Sequence, residues 1–323
     1  MITQLVRKRL GCAGWQADRV LRRVHGLVPE LRTGETLPVG LGDPAIEALY
    51  VEAELDELAR RFHVERGLRQ GLWWGSALAD VACSAVGEAT DDTVLREGAL
   101  LHLGLNLYDA VVDIIRRGTR TLSESLDPAR LAARLARPEE ASTALTCPDE
   151  DLQRIVRLFD SAMVSVGRRW AEYPDRAGVL VDLYRRMYES ELRISADPFE
   201  AKELPYVFVG ALVIPPGAQR ARSLIRGLSR FFALGDDWDD MFEDMIRGAP
   251  NAFLSNASRS KTRRALGYAG RSALRLAAGR RMHDALAERL AAPLRETLQV
   301  AREIGPGCHA RTLSLCRATI NER

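Results

Sequence analysis

Apolar residues recur along most of this chain at spacings of three and four, the period of a helix with one face turned to a core. In "DPAIEALYVEAELDELARRFHVERG", residues 43–67, Ile46, Leu49, Tyr50, Ala53, Leu55 and Leu58 fall near one stripe, with Asp43-Pro44 as a start signal. The stretch "DDTVLREGALLHLGLNLYDAVVDIIRRG", residues 91–118, is apolar on most faces through its middle, which predicts a buried central helix. Helical patterns continue in residues 149–173, 175–194, 217–248 and about 259–304. One run, "YVFVGALVI" at 206–214, reads equally as a strand or a buried helix. Breaks fall at 33–44, 137–150 and 214–217, none of them long or polar enough for an inter-domain linker. The expected architecture is all-α, with roughly ten helices in a single domain over 1–323.

Composition narrows the class. Hydrophobic residues make up 46% of the 323, enough for a sizeable core. Net charge is only +2, from 46 basic and 44 acidic residues, so no nucleic-acid partner is expected. The basic residues are almost all Arg, with Lys only at Lys8, Lys202 and Lys261. The scattered cysteines Cys12, Cys83, Cys147, Cys308 and Cys316 form no zinc spacing and read as reduced thiols. The N-terminus has no secretory pattern and no apolar run is long enough for a membrane span, so a cytoplasmic location is expected.

Two acidic clusters carry the candidate chemistry. "ALGDDWDDMFEDMIRG", residues 233–248, holds Asp236, Asp237, Asp239, Asp240, Glu243 and Asp244. On a helix, Asp236, Asp240 and Asp244 stack at i, i+4 and i+8 on one face. Stacked carboxylates repel, and oxygen donors at one-turn spacing suit Mg²⁺. A solvated acidic face is the plain alternative, but Phe231, Phe232, Leu234, Trp238, Met241 and Phe242 embed the cluster in apolar surroundings. An EF-hand is excluded, because the stretch lacks its glycine and ligand spacing. The second pair, Asp109 and Asp113, sits in an apolar helix where buried charge needs compensation. Arg116, Arg117 and Arg120 follow at once. Carboxylates for a metal followed by guanidinium forks are what a diphosphate site needs.

The order of these features resembles the trans-prenyltransferase branch of the class I isoprenoid synthases. The family's first aspartate motif precedes Arg-Arg-Gly and a Thr; here the text is "DAVVDIIRRGTRTL", with His102 seven residues ahead of Asp109. The second motif resembles "FFALGDDWDDMFEDMIRG", 127 residues later when counted from Asp109 to Asp236. The match covers about 70–255, with 1–45 as an N-terminal helical extension. The resemblance implies a helical bundle around a deep apolar cavity, the two motifs facing each other and holding three Mg²⁺ on a prenyl diphosphate. It implies Asp109, Asp113, Asp236, Asp237, Asp240 and Asp244 as metal ligands, with Asp109, Asp113, Asp236 and Asp240 carrying catalysis. It further implies Arg116, Arg117, Lys202, Arg193 and Arg226 at the diphosphate, and a cavity lined by Gly104, Leu105, Trp73, Phe208, Phe232 and Trp238. Trp74 joins these as an aromatic candidate.

There are departures. Ala110 replaces the first motif's second aspartate, and "RQGLWWGS" stands where the family has Gly-Lys-x-x-Arg-Pro for isopentenyl diphosphate. The second cluster also resembles the metal motif of bacterial terpene cyclases. Ionising metals without a second-substrate site imply a terpene synthase that cyclises farnesyl or geranylgeranyl diphosphate. Gly104 stands at the position that tends to limit chain length in the family, and a glycine there implies a deep pocket and favours C20. Transfer to isopentenyl diphosphate or another acceptor, or a non-catalytic subunit role, is the alternative. A homodimer is admitted as the assembly.

Overall fold

Residues 20, 22–32, 37–62, 68–112, 118–192, 198–239 and 280–321 are described in the computed structural model. All their regular elements are helical, and no strand occurs among them. In chain order the helices are α1 (Asp43–Glu52), α2 (Leu55–Phe62), α3 (Leu68–Val86), α4 (Asp92–Ala110), α5 (Thr119–Ser125), α6 (Pro128–Ala136), α7 (Glu150–Arg169), α8 (Pro174–Leu192), α9 (Pro198–Ala211), α10 (Gln219–Asp239), α11 (Arg280–Ile304) and α12 (Pro306–Asn321). The fold is all-α. No described helix is long and apolar enough to cross a membrane.

The chain forms two compact units. The larger contains Leu37–Arg226 and Val300–Leu315, and α4 is its spine. Asp91 caps α4, accepting from the Thr93 N–H at 2.9 Å, and the helix packs against α3, α7 and α9. Burial on nearly every face explains why the helix is apolar all round. Two glycines set the α3–α4 approach. A Cβ on Gly75 would lie 2.2 Å from the Gly98 carbonyl oxygen, and one on Gly98 2.6 Å from that of Gly75. Backbone meets backbone there, so no larger residue fits.

Asp80 ties the outer elements to α3. Its buried carboxylate accepts from the Gly40 N–H at 3.1 Å, the Thr90 hydroxyl at 2.6 Å and Arg311 of α12 at 2.5 Å.

Two local expectations are corrected. Residues 43–62 are not one helix: the chain turns at Ala53–Glu54, with Glu54 left-handed at φ 52°. Nine residues advance a helix by about two and a half turns. A continuous helix would therefore put Leu55 opposite Ile46, whereas the turn returns Leu55 and Leu58 to the core. The helix also starts one residue early for an Asp cap: Gly42 holds the cap position without a side-chain bond, and Asp43 is the first helical residue. The run 206–214 is helical through Ala211 and then turns, so the buried-helix alternative holds.

The smaller unit contains residues up to Thr36, Gly227–Gln299 and Cys316 onward. Within it, Gly227 of α10 faces Thr297 of α11, whose hydroxyl oxygen would sit 2.3 Å from an added Cβ. Arg317 donates to the Glu30 carbonyl at 2.6 Å, and Arg23 pairs with Asp284.

Candidate functional site

The C-terminal end of α4 bears Asp109, and the rest of the helix explains why that end is held in place. Near its start, buried Glu97 pairs with Arg169 of α7, which also donates to the Leu212 carbonyl at 3.1 Å. Burial raises the Glu97 carboxyl above the usual carboxylate range, while Arg169 and Ser165 oppose that rise. One turn further on, His102 donates its Nδ1–H to the Gly71 carbonyl of α3 at 2.9 Å. Burial pulls its pKa down to about 4, so the imidazole is neutral near pH 7. Then comes Gly104, against which Phe159 of α7 lies.

This last contact corrects the reading of Gly104. An added Cβ would come 2.9 Å from the Phe159 ring, so the space a glycine would leave open is filled from the neighbouring helix. Phe159, Tyr184 and Phe208 form a buried aromatic group, with centroids 6.3 Å apart for the first pair and 5.6 Å for the second.

Asp109 itself is exposed, in the last turn of α4. The helix loosens directly after it into a π turn at Val111–Val112, a form that recurs at functional positions. The chain's return is fixed as well. Gly118 is left-handed at φ 85° and caps α5, and a Cβ there would meet Leu152 at 2.7 Å. The Thr119 hydroxyl donates to the Val111 carbonyl at 3.4 Å. Tyr188 donates to the Ser123 carbonyl at 3.0 Å, Tyr184 to the Leu126 carbonyl at 2.6 Å, and Tyr108 shares a bond with the Ser123 hydroxyl at 3.0 Å. The residues that bracket the first motif are thus tied to α4 and α8.

Of the other predicted site residues, Asp113, Arg116, Arg117, Arg193, Asp240 and Asp244 lie outside the described residues, as do the side chains of Asp236 and Trp238. Asp237 is buried on α10, in the smaller unit, whereas Asp109 belongs to the larger. Among the described residues no three His, Cys, Asp or Glu side chains gather as a metal group. Lys202 is half-buried on α9 and Arg226 exposed on α10. Arg120 pairs with Glu124 at 2.7 Å on the exposed side of α5, which engages its fork there. Leu105 and Phe208 are core residues, and Phe232 is buried beside Phe231 in the smaller unit.

Trp73 and Trp74 are half-buried and meet edge to face at 5.4 Å. Their segment has a packing role: Gly71 lies under Leu103 and accepts from His102, and Leu72 is fully buried. A basic residue at Leu72 would point into the core.

Phe159, Tyr184 and the Glu97–Arg169 pair are not legible in the sequence. Long-range partners leave no local spacing signal. Glycines at 75, 98 and 104 inside long helices were the available hint of close approach.

No protein-family model matches the sequence, and a search of the curated proteins finds no similar one.

Proposed function

We propose that the chain is a Mg²⁺-dependent class I terpene synthase that ionises a linear prenyl diphosphate and cyclises the resulting cation. One observation supports this most: Asp109 stands exposed at the end of a helix whose other faces are buried, beside a π turn and followed by a tied-down return. A carboxylate fixed on a rigid helix, with a loosened turn at its side, is suited to ligand binding rather than packing.

The donor set fits a hard cation, since carboxylate oxygens at helical spacing are the ligands Mg²⁺ takes. Asp109 and Asp113 would hold it, and Mg²⁺ would supply Lewis-acid stabilisation of the leaving diphosphate. The chain's own residues do the rest. Arg116 and Arg117 grip diphosphate oxygens with their planar forks. The apolar interior excludes water from the cation and holds the chain folded for attack by its own alkene. Heterolysis of the C–O bond sends the electron pair to diphosphate, and loss of a proton after ring closure restores neutrality.

The helix α3 supports cyclisation over elongation, because its Gly71–Trp74 segment is occupied by packing and carries no basic side chain. The ring of Phe159 over Gly104 favours farnesyl over geranylgeranyl diphosphate.

Incubation with C10, C15 and C20 diphosphates, with and without isopentenyl diphosphate, tests the proposal. Cyclic hydrocarbons with released diphosphate are expected only with Mg²⁺. Longer linear products would assign the chain to the prenyltransferases, and no consumption of any allylic diphosphate would reject the reading.

A further inference from the structure

A pocket of about 250 Å³ opens where the end of α1, the first half of α4 and α7 meet. It lies toward the opposite end of α4 from Asp109, some thirteen residues or about 20 Å along the axis from Arg96. Its floor is apolar, with Leu49, Leu100, Leu158 and Ala162 all buried, and Ser161 and Ser165 add hydroxyls to the wall. Three arginines from two helices, Arg96, Arg154 and Arg157, line it nearer the surface.

The acidic groups present are of two kinds. Glu97 is already matched by Arg169 behind the wall. The others belong to the α1–α2 corner: Glu52 pairs with Arg96, Glu57 with Arg154, and Glu54 with Arg157 at 3.8 Å. Those three carboxylates are 62, 58 and 60% exposed. Pairs with carboxylates this wet add little to stability. Glu54 also holds a left-handed backbone that glycine or asparagine would take more readily. A separate carboxylate meets each arginine, whereas one phosphate could bridge two or three forks at once.

We propose that this pocket binds a small phosphate ester with a short apolar body, the ester oxygens replacing the corner glutamates on Arg96, Arg154 and Arg157. The apolar body lies on Leu100, Leu158 and Ala162. This site is separate from the proposed active site and does not depend on that assignment.

Isothermal titration of the full chain in EDTA with inorganic phosphate and with isobutyl phosphate tests it. Isobutyl phosphate should bind, and more tightly than inorganic phosphate. The Arg154→Gln/Arg157→Gln double variant should lose at least about ten-fold in affinity, as expected for charged hydrogen bonds. The exposed Arg157→Glu, a single surface change that should leave folding intact, should weaken binding in the same direction. Asp109→Asn should leave binding unchanged, which separates this site from the proposed metal site. No binding to the wild type, equal binding of the two probes, or binding that survives the arginine changes would overturn the proposal.

Discussion

The ring of Phe159 occupies the space beside Gly104, 2.9 Å from where a Cβ would stand. Gly104→Ala should cost roughly 1–3 kcal/mol through overpacking, and adding Phe159→Leu should restore much of it, as read from urea midpoints. Gly75→Ala should be worse and should resist rescue by side-chain changes, because its obstacle is the Gly98 backbone.

The same relationship bears on substrate length. Under the proposed function, Phe159→Ala should raise the turnover of geranylgeranyl diphosphate relative to farnesyl diphosphate. Product analysis with both substrates checks this, and an unchanged ratio would remove Phe159 as a determinant.

Arg169→Ala should destabilise the larger unit by about 3–5 kcal/mol, because it strands the buried Glu97 charge. Arg169→Ala/Glu97→Gln should recover part of that loss. Chemical denaturation of the single and double variants provides the comparison.

His102 sets an acid limit. Its folded pKa is depressed to about 4, whereas an unfolded histidine titrates near 6.5. The unfolded chain therefore takes up this proton first. The contribution is intact above about pH 6.5 and is lost as pH falls from there toward 4, by on the order of 3 kcal/mol at most. In His102→Gln the fall in urea midpoint between pH 7.5 and 5 should be shallower than in the wild type.

Asp109→Asn should lower Mg²⁺-dependent diphosphate release by about a hundred-fold or more. Its melting temperature should stay within about one degree, since the side chain is exposed. A large drop in stability would mean that Asp109 serves the fold instead.

Helix positions were legible because burial imposes the 3.6-residue period, most plainly in α4 and α7. The turn at Glu54 was legible only in the phase of Leu55 and Leu58, which a continuous stripe misreads. Asp109 stands out in the sequence as a carboxylate in an apolar helix, on the premise that its charge is buried. The structure corrects that premise, because the side chain is exposed in the last turn and bears no burial cost. Phe159 does not stand out, since what fills the space beside a glycine is decided by a helix some fifty residues away. Asp80 and Arg311 meet across 231 residues, beyond the reach of any local pattern.

The tyrosines that hold the return after the first motif also make an optical reporter. Burial raises the Tyr184 phenol well above its ordinary value, and that of Tyr188 less strongly. Phenolate absorbance should therefore lag in the folded chain as pH rises past 10. Its late appearance would mark the moment when the anchoring around α5 lets go.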